Sequence, residues 1–125
     1  MNTHTNPVGW FEIYVQDLER AKAFYEATFA VKLEAIAGPA VAMLAFPTNP
    51  RNPGCGGALV KFAGKTSGDG GTVVYFSCED CAVEAARALA NGGRVCREKF
   101  SIGPHGFVAL VFDTEENLIG LHSTR

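Results

Sequence analysis

Nothing in this chain is present in the excess that would mark a charged partner. Its 11 lysines and arginines are outnumbered by 13 aspartates and glutamates, a formal charge of −2, so no basic surplus is available for nucleic acid or an anionic membrane surface. No segment approaches the run of about 20 apolar residues that a membrane helix needs, and Met1 to Pro7 is polar, without the apolar core of a signal peptide. The cytoplasm is the expected compartment. Histidine is scarce, tryptophan occurs once, and the four cysteines, Cys55, Cys78, Cys81 and Cys96, are expected to be reduced thiols there. Cys78-Glu79-Asp80-Cys81 has C-x-x-C spacing, but a second such pair and nearby histidines are missing. Buried or half-buried structural thiols are therefore favoured over redox or zinc chemistry. The glycine pairs Gly56-Gly57, Gly70-Gly71 and Gly92-Gly93 match no phosphate-binding fingerprint and read as turns.

What is present is an ordinary globular composition, 47% hydrophobic and 19% charged over 125 residues. That length is one domain's worth, able to bury roughly two-thirds of its unfolded surface without a metal or a disulfide. The most informative stretch is Gly9 to Tyr25. With a period of two, Phe11, Ile13 and Val15 form an apolar face, while Trp10, Glu12 and Tyr14 point the other way with a carboxylate between two aromatics. The first face is core; the second suits the lining of a groove. Asp17 then stands where a helix N-cap belongs, with Glu19 in the first turn, and Leu18, Ala21, Phe24, Tyr25 and Phe29 recur at helical spacing. A second strand is expected to leave the helix over 29–34, a third over 41–46, and a fourth over 57–63, with the turn-rich segment 47–54 as a loop.

The segment 64–71 is linker-like, and the second half of the chain repeats the first. Residues 72–78 form a strand, Asp80 is the next cap, and Val83, Ala86, Leu89 and Ala90 are the expected buried stripe of a second helix ended by Asn91-Gly92-Gly93. Further strands are expected over 94–98, 107–112 and 117–123. Superposing Asp17 on Asp80 places Phe11, Ile13 and Val15 on Val74, Phe76 and Cys78, and Trp10, Glu12 and Tyr14 on Val73, Tyr75 and Ser77. The fold class is therefore α+β: two tandem β-α-β-β-β modules, about 8–63 and 72–125, in a single domain. Each module alone leaves a sheet face uncovered, so the modules must combine within the chain, between chains, or both.

Three pieces, Phe11 to Tyr25 with its D-L-x-R-A-x-x-F-Y signature, Ala90-Asn91-Gly92-Gly93, and Phe112 to His122, make the sequence resemble the vicinal oxygen chelate superfamily of glyoxalases, bleomycin resistance proteins and extradiol dioxygenases. The resemblance implies paired modules whose curled sheets form a cup, with helices on the outer face, and commonly a homodimer. It also implies a place for one metal ligand near the inward start of each module's first strand and another on a later strand. Here those places fall on Trp10, Val73 and Gly120, and on the segment Gly57-Ala58-Leu59-Val60, none of which offers a metal-binding side chain. No metal and no cofactor are expected at the inherited positions.

The cup lining expected from strand parity includes Trp10, Glu12, Tyr14, Tyr75, Ser77 and His122. Glu12 and His122 are its two strongly ionisable members. A carboxylate beside an imidazole suits a general acid/base pair, and equally a ligand contact or a structural hydrogen bond. His105, in the turn Gly103-Pro104-His105-Gly106, is expected near the rim, as a ligand contact, a solvated loop residue, or a third donor of a rebuilt divalent-metal site with Glu12 and His122. Trp10 and Tyr75 read as a stacking wall. The expected function is binding of a small, partly apolar or aromatic molecule; the alternative is an enzyme, a lyase, isomerase or dioxygenase, working through Glu12 and His122.

Overall fold

The computed structural model describes residues 10–36, 42–49, 51–63, 66–68, 70 and 72–125. Two β-α-β-β-β units lie in succession: β1 (Glu12–Tyr14), α1 (Leu18–Phe29), β2 (Glu34–Ile36), β3 (Ala42–Ala45) and β4 (Ala58–Lys61), then β5 (Val74–Ser77), α2 (Cys81–Ala90), β6 (Arg94–Ser101), β7 (Phe107–Phe112) and β8 (Leu118–Ser123). Each unit makes one four-stranded mixed sheet, in the orders β1-β4-β3-β2 and β5-β8-β7-β6. In both, the first strand runs parallel to the last and the other pairings are antiparallel. The expected α+β architecture of two tandem modules is what forms. Half of the expected linker 64–71 lies outside the described residues.

The caps act as the residue types require. Asp17 and Asp80 are extended, and their carboxylates accept from the amides of Arg20 and Ala82, each satisfying one of the free donors of a helix start. Helix α1 ends on Ala30, which takes a left-handed φ of 54°. The chain beyond it is held by Glu26, whose carboxylate accepts from the Leu33 amide at 2.9 Å. That tether delays the second strand to Glu34–Ile36, later than the run of apolar residues after Phe29 suggests. Helix α2 ends at Asn91, and Gly92 supplies the positive φ of 95°.

The α2 stripe differs from the expected one. Cys81, Ala85 and Ala88 are buried, while Val83 and Leu89 stand 45% and 60% exposed. The helix is amphipathic, with Arg87 opposite Ala85, but its bulkiest apolar residues, Val83 and Leu89, lie off the small-residue face that packs. Close approach selects that face: a side chain at Gly93 would meet the Phe24 ring at 2.8 Å and the Ala88 carbonyl at 2.9 Å, so only small residues fit where α2 passes α1.

One core serves both modules. Ile13, Val15, Phe24, Tyr25, Leu44, Phe46 and Leu59 from the first join Ala85, Ala88, Ala109, Val111, Ile119 and Leu121 from the second. Phe76 of β5 stacks on Phe29 of α1 at 4.4 Å between centroids and meets Phe11 edge-on at 6.3 Å. The inward parity expected for Phe11, Ile13 and Val15, and for Phe76 and Cys78, is therefore the observed one, while Val74, expected with them, is half-buried outside the core cluster and borders a hollow shared with Glu12 and Tyr14.

The turn between β7 and β8 adds a buried polar clasp. Asp113 Oδ1 accepts from the amides of Glu115 and Asn117, both at 2.8 Å, and Oδ2 accepts from the Tyr25 hydroxyl at 2.7 Å. Asn117 Nδ2 reaches back to the Tyr14 carbonyl at 3.0 Å. Glu115 Oε1 accepts from the amides of Gln16 and Asp17, each at 3.0 Å, so a carboxylate from module two closes the β1–α1 corner of module one.

Candidate functional site

With the helix-facing sides committed to the core, the opposite faces of the two sheets are left to carry function. On the first sheet, Trp10, Glu12 and Tyr14 share that outer face. The indole Nε1 and the Tyr14 hydroxyl each donate to the Glu12 carboxylate, both at 3.4 Å, so the two aromatics hold the exposed carboxylate between them. In the parallel pairing, Glu12 lies opposite Ala58 and Tyr14 opposite Val60.

The outer face of the second sheet is organised in cross-strand rows. Tyr75, Gly120, Leu110 and Arg97 form one; Ser77, His122, Val108 and Phe100 the next; Leu118, Phe112 and Arg94 a third. Tyr75 stands 53% exposed, and its ring covers Gly120, where an added Cβ would come within 2.3 Å of it. His122 Nε2 donates to the His105 carbonyl oxygen at 2.7 Å, which fixes the proton on that nitrogen and ties β8 to the Gly103–His105 turn.

The expected site residues thus fall into two groups. Trp10, Glu12 and Tyr14 come together on sheet one; Tyr75, Ser77, His122 and the backbone of His105 come together on sheet two. No hydrogen bond or ion pair joins Glu12 to His122 among the described residues, and each takes other partners. The His105 side chain is exposed.

An open cavity of about 520 Å³ adjoins Trp10, lined by Pro47, Thr48, Asn49, Asn52 and Pro53 and by the Gly54–Gly56 segment. Its size is that of a small-molecule site. Sequence periodicity marks this segment only as a loop. What seats it is Gly57, whose φ of 75° and bare Cα bring it against the Phe11 ring, 2.4 Å from an added Cβ. A smaller hollow of about 180 Å³ lies where Glu12, Ile13 and Tyr14 approach Val74, Asn117 and Leu118.

The places that metal-using relatives would give to ligands do not fit a metal. In the observed register Ala58 and Val60 are the residues of the fourth strand that share the Glu12 and Tyr14 face, and the space over Gly120 is filled by the Tyr75 ring. Trp10 and Val73, at the remaining places, offer no carboxylate, imidazole or thiolate. Among the described residues no group of three or more His, Cys, Asp and Glu side chains is placed to hold an ion.

The C-x-x-C pair is built for packing. Cys81 is buried at the first turn of α2, and the Cys78 thiol donates to the Phe76 carbonyl at 3.5 Å. Burial, followed by the Glu84 carboxylate, pushes the Cys78 thiol up to about 12, far from a reactive thiolate at neutral pH.

Two four-stranded mixed sheets, each from a β-α-β-β-β unit with its helix on the core side, define the paired-module class. A sequence model of the bleomycin resistance protein-like N-terminal family matches residues 8–44. No curated protein matches the sequence significantly. Among solved structures, TnmS3, an antibiotic binding protein from Streptomyces sp. CB03234, is 25% identical with a TM-score of 0.70, each chain covering 98% of the other. A glyoxalase/bleomycin resistance protein from Albidiferax ferrireducens T118 is 23% identical with a TM-score of 0.64, over 91% of this chain and 96% of that one. Glyoxalase I from Zea mays gives a TM-score of 0.75 at 19% identity, over 94% of this chain and 46% of that one. The resemblance read from the sequence is borne out at the level of the fold: the chain has the fold of the glyoxalase/bleomycin resistance proteins. No helix among the described residues is long and apolar enough to cross a membrane.

Proposed function

We propose that this protein binds a small, partly apolar or aromatic molecule on the outer faces of its sheets, as a homodimer and without the family's metal. The observation that carries the reading is the 520 Å³ cavity beside Trp10, whose indole is 44% exposed and free to stack on a planar ligand. Tyr75 is a second exposed aromatic on the other outer face. The antibiotic binding described for TnmS3 is consistent with this reading. The donor-poor ligand places argue for binding without a metal, and the four free cysteines accord with a reducing compartment, the cytoplasm. Glu12 and Tyr14, beside Trp10, are ligand contacts in this scheme, and His122, Ser77 and His105 are the polar contacts of the other sheet's face.

Trp10 is the chain's one tryptophan, so its fluorescence reports the site directly. Titration with the uncharged aromatic N-phenyl-1-naphthylamine should show saturable energy transfer from Trp10, weakened several-fold in Pro53→Asp, which puts a charge in the wall of that cavity. Absence of saturable transfer, or equal transfer in Pro53→Asp, would remove the proposal. Light scattering at micromolar concentration should give twice the chain mass; a monomer defeats the dimer. One tight equivalent of Ni²⁺, Zn²⁺ or Mn²⁺, lost in Glu12→Ala or His122→Ala, would replace metal-free binding with a rebuilt metal site.

A further inference from the structure

Strand β6 carries three cations, Arg94, Arg97 and Lys99, and two of them are neutralised. Arg94 pairs with Glu116, and Lys99 with Asp80 at 2.9 Å. Arg97 has no carboxylate within ion-pair distance among the described residues. Its guanidinium is nonetheless fixed, because it lies 3.6 Å from the centroid of the Phe100 ring. Stacking on an aromatic face holds the group flat while leaving its N–H edge open.

The strand is irregular at this residue. Val95 pairs with Val111 on the core side, and strict alternation would place Arg97 on that same side. The register shifts between Val95 and Arg97 and again before Phe100, so Arg97 lies opposite Leu110 and Phe100 opposite Val108. A bulge re-aims a side chain in this way. Here it carries a cation out of the core face and onto the row of Tyr75, Gly120 and Leu110. The result is an apolar floor with a stacked aromatic at one end and, roughly 14 Å away across three strand spacings, an unneutralised guanidinium at the other.

We propose that Arg97 is the anion-recognising group of this face, and that the molecule bound there carries an oxyanion at one end of an aromatic or apolar body. The inference rests on the small-molecule reading above and narrows its ligand class. A planar guanidinium donates two parallel hydrogen bonds to a carboxylate, sulfonate or phosphate, and the apolar floor beside it lowers the competition from water. Sequence parity hides the residue, since only the bulge brings it to this face.

The test uses two probes with the same ring system, 1-anilinonaphthalene-8-sulfonate and the uncharged N-phenyl-1-naphthylamine, titrated into wild type, Arg97→Gln and Arg97→Lys. Arg97→Gln should weaken the sulfonate about tenfold and leave the uncharged probe unchanged, with Arg97→Lys between wild type and Arg97→Gln. The difference should shrink as salt is raised. If both probes bind wild type and Arg97→Gln changes neither, or changes both equally, Arg97 reads no charge and the inference falls while small-molecule binding stands. If neither probe binds wild type, the binding reading itself falls and takes the inference with it.

Discussion

Arg20 and Glu115 meet across 95 residues of sequence: Arg20 Nε donates to Glu115 Oε2 at 2.7 Å, and Nη2 donates to Oε1 at 3.0 Å. The Glu115 side chain is fully buried, while that of Arg20 is half in solvent. The pair is therefore an interior carboxylate held by a cation that water still reaches. With the Gln16 and Asp17 amides and the Thr114 hydroxyl, it fastens the turn of one module to the first helix of the other.

This clasp makes acid stability predictable. Burial alone would raise the Glu115 carboxyl, but hydrogen bonds from Arg20, the Asp17 amide, Thr114 and the Gln16 amide overcome it and hold the group down to about 2. A depressed carboxyl stabilises the fold above its unfolded value, near 4.5, and that contribution disappears as pH falls toward about 2. Denaturant titrations should show stability declining across that window, with a shallower decline in Glu115→Gln. Glu115→Ala should cost about 3 kcal/mol at pH 7, because the amides and guanidinium it served lose a buried acceptor. An unchanged unfolding midpoint would show that the clasp is dispensable.

Tyr25 and Asp113 form the buried end of the same network, and they titrate against ionisation. Burial, reinforced by the Asp113 charge, raises the Tyr25 phenol well above its ordinary range; burial likewise raises Asp113, against the hydrogen bonds from Tyr25 and Asn117. Spectrophotometric titration should find that Tyr25 ionises only on unfolding. For a phenol raised in the fold, stability is retained below the unfolded value near 10 and lost as pH climbs past it. Tyr25→Phe should cost about 2 kcal/mol, the worth of a hydrogen bond to a charged group. Reversible ionisation of Tyr25 in the folded protein would contradict its buried placement.

Gly120 leaves room for the Tyr75 ring, and its loss should be felt at the site more than in the core. Gly120→Ala puts a Cβ 2.3 Å from that ring, which must swing off the sheet. The expected cost is about 1–2 kcal/mol, with several-fold weaker binding of N-phenyl-1-naphthylamine. Adding Tyr75→Ala should return the stability while binding stays weak. If Gly120→Ala costs the same with and without Tyr75, the two residues are not coupled.

Thiol reactivity should rank by exposure and protonation. Cys96 is exposed and Cys55 half-exposed; Cys81 is buried, and Cys78 is held as a thiol near pH 7 by a value pushed up to about 12. Iodoacetamide followed by mass mapping should label Cys96 first, Cys55 more slowly, and the Cys78–Cys81 pair only on unfolding. Rapid native labelling of Cys78 would restore the reactive reading of the C-x-x-C spacing.

Local chemistry is legible where it is short-ranged. Alternation separates Phe11, Ile13 and Val15 from Trp10, Glu12 and Tyr14; Asp17 and Asp80 mark the helix starts; the repeat of these signals marks two modules. Strand β7 falls at its expected residues because Pro104 and Gly106 precede it and Asp113 ends it. The buried face of α2 escapes such reading because close packing selects the small residues Cys81, Ala85 and Ala88 over the bulkier Val83 and Leu89, and that choice is a property of what the helix packs on.

The order of elements, and the side of each first strand that enters the core, are written in the residues themselves, since both come from backbone period and capping within a few positions. Tertiary contacts alone set three other outcomes: Glu115 closes a helix 95 residues upstream at Arg20, Glu12 and His122 take separate partners, and a bulge turns Arg97 outward. These depend on where distant chain segments meet and on register shifts of a single residue, neither of which leaves a trace in local periodicity.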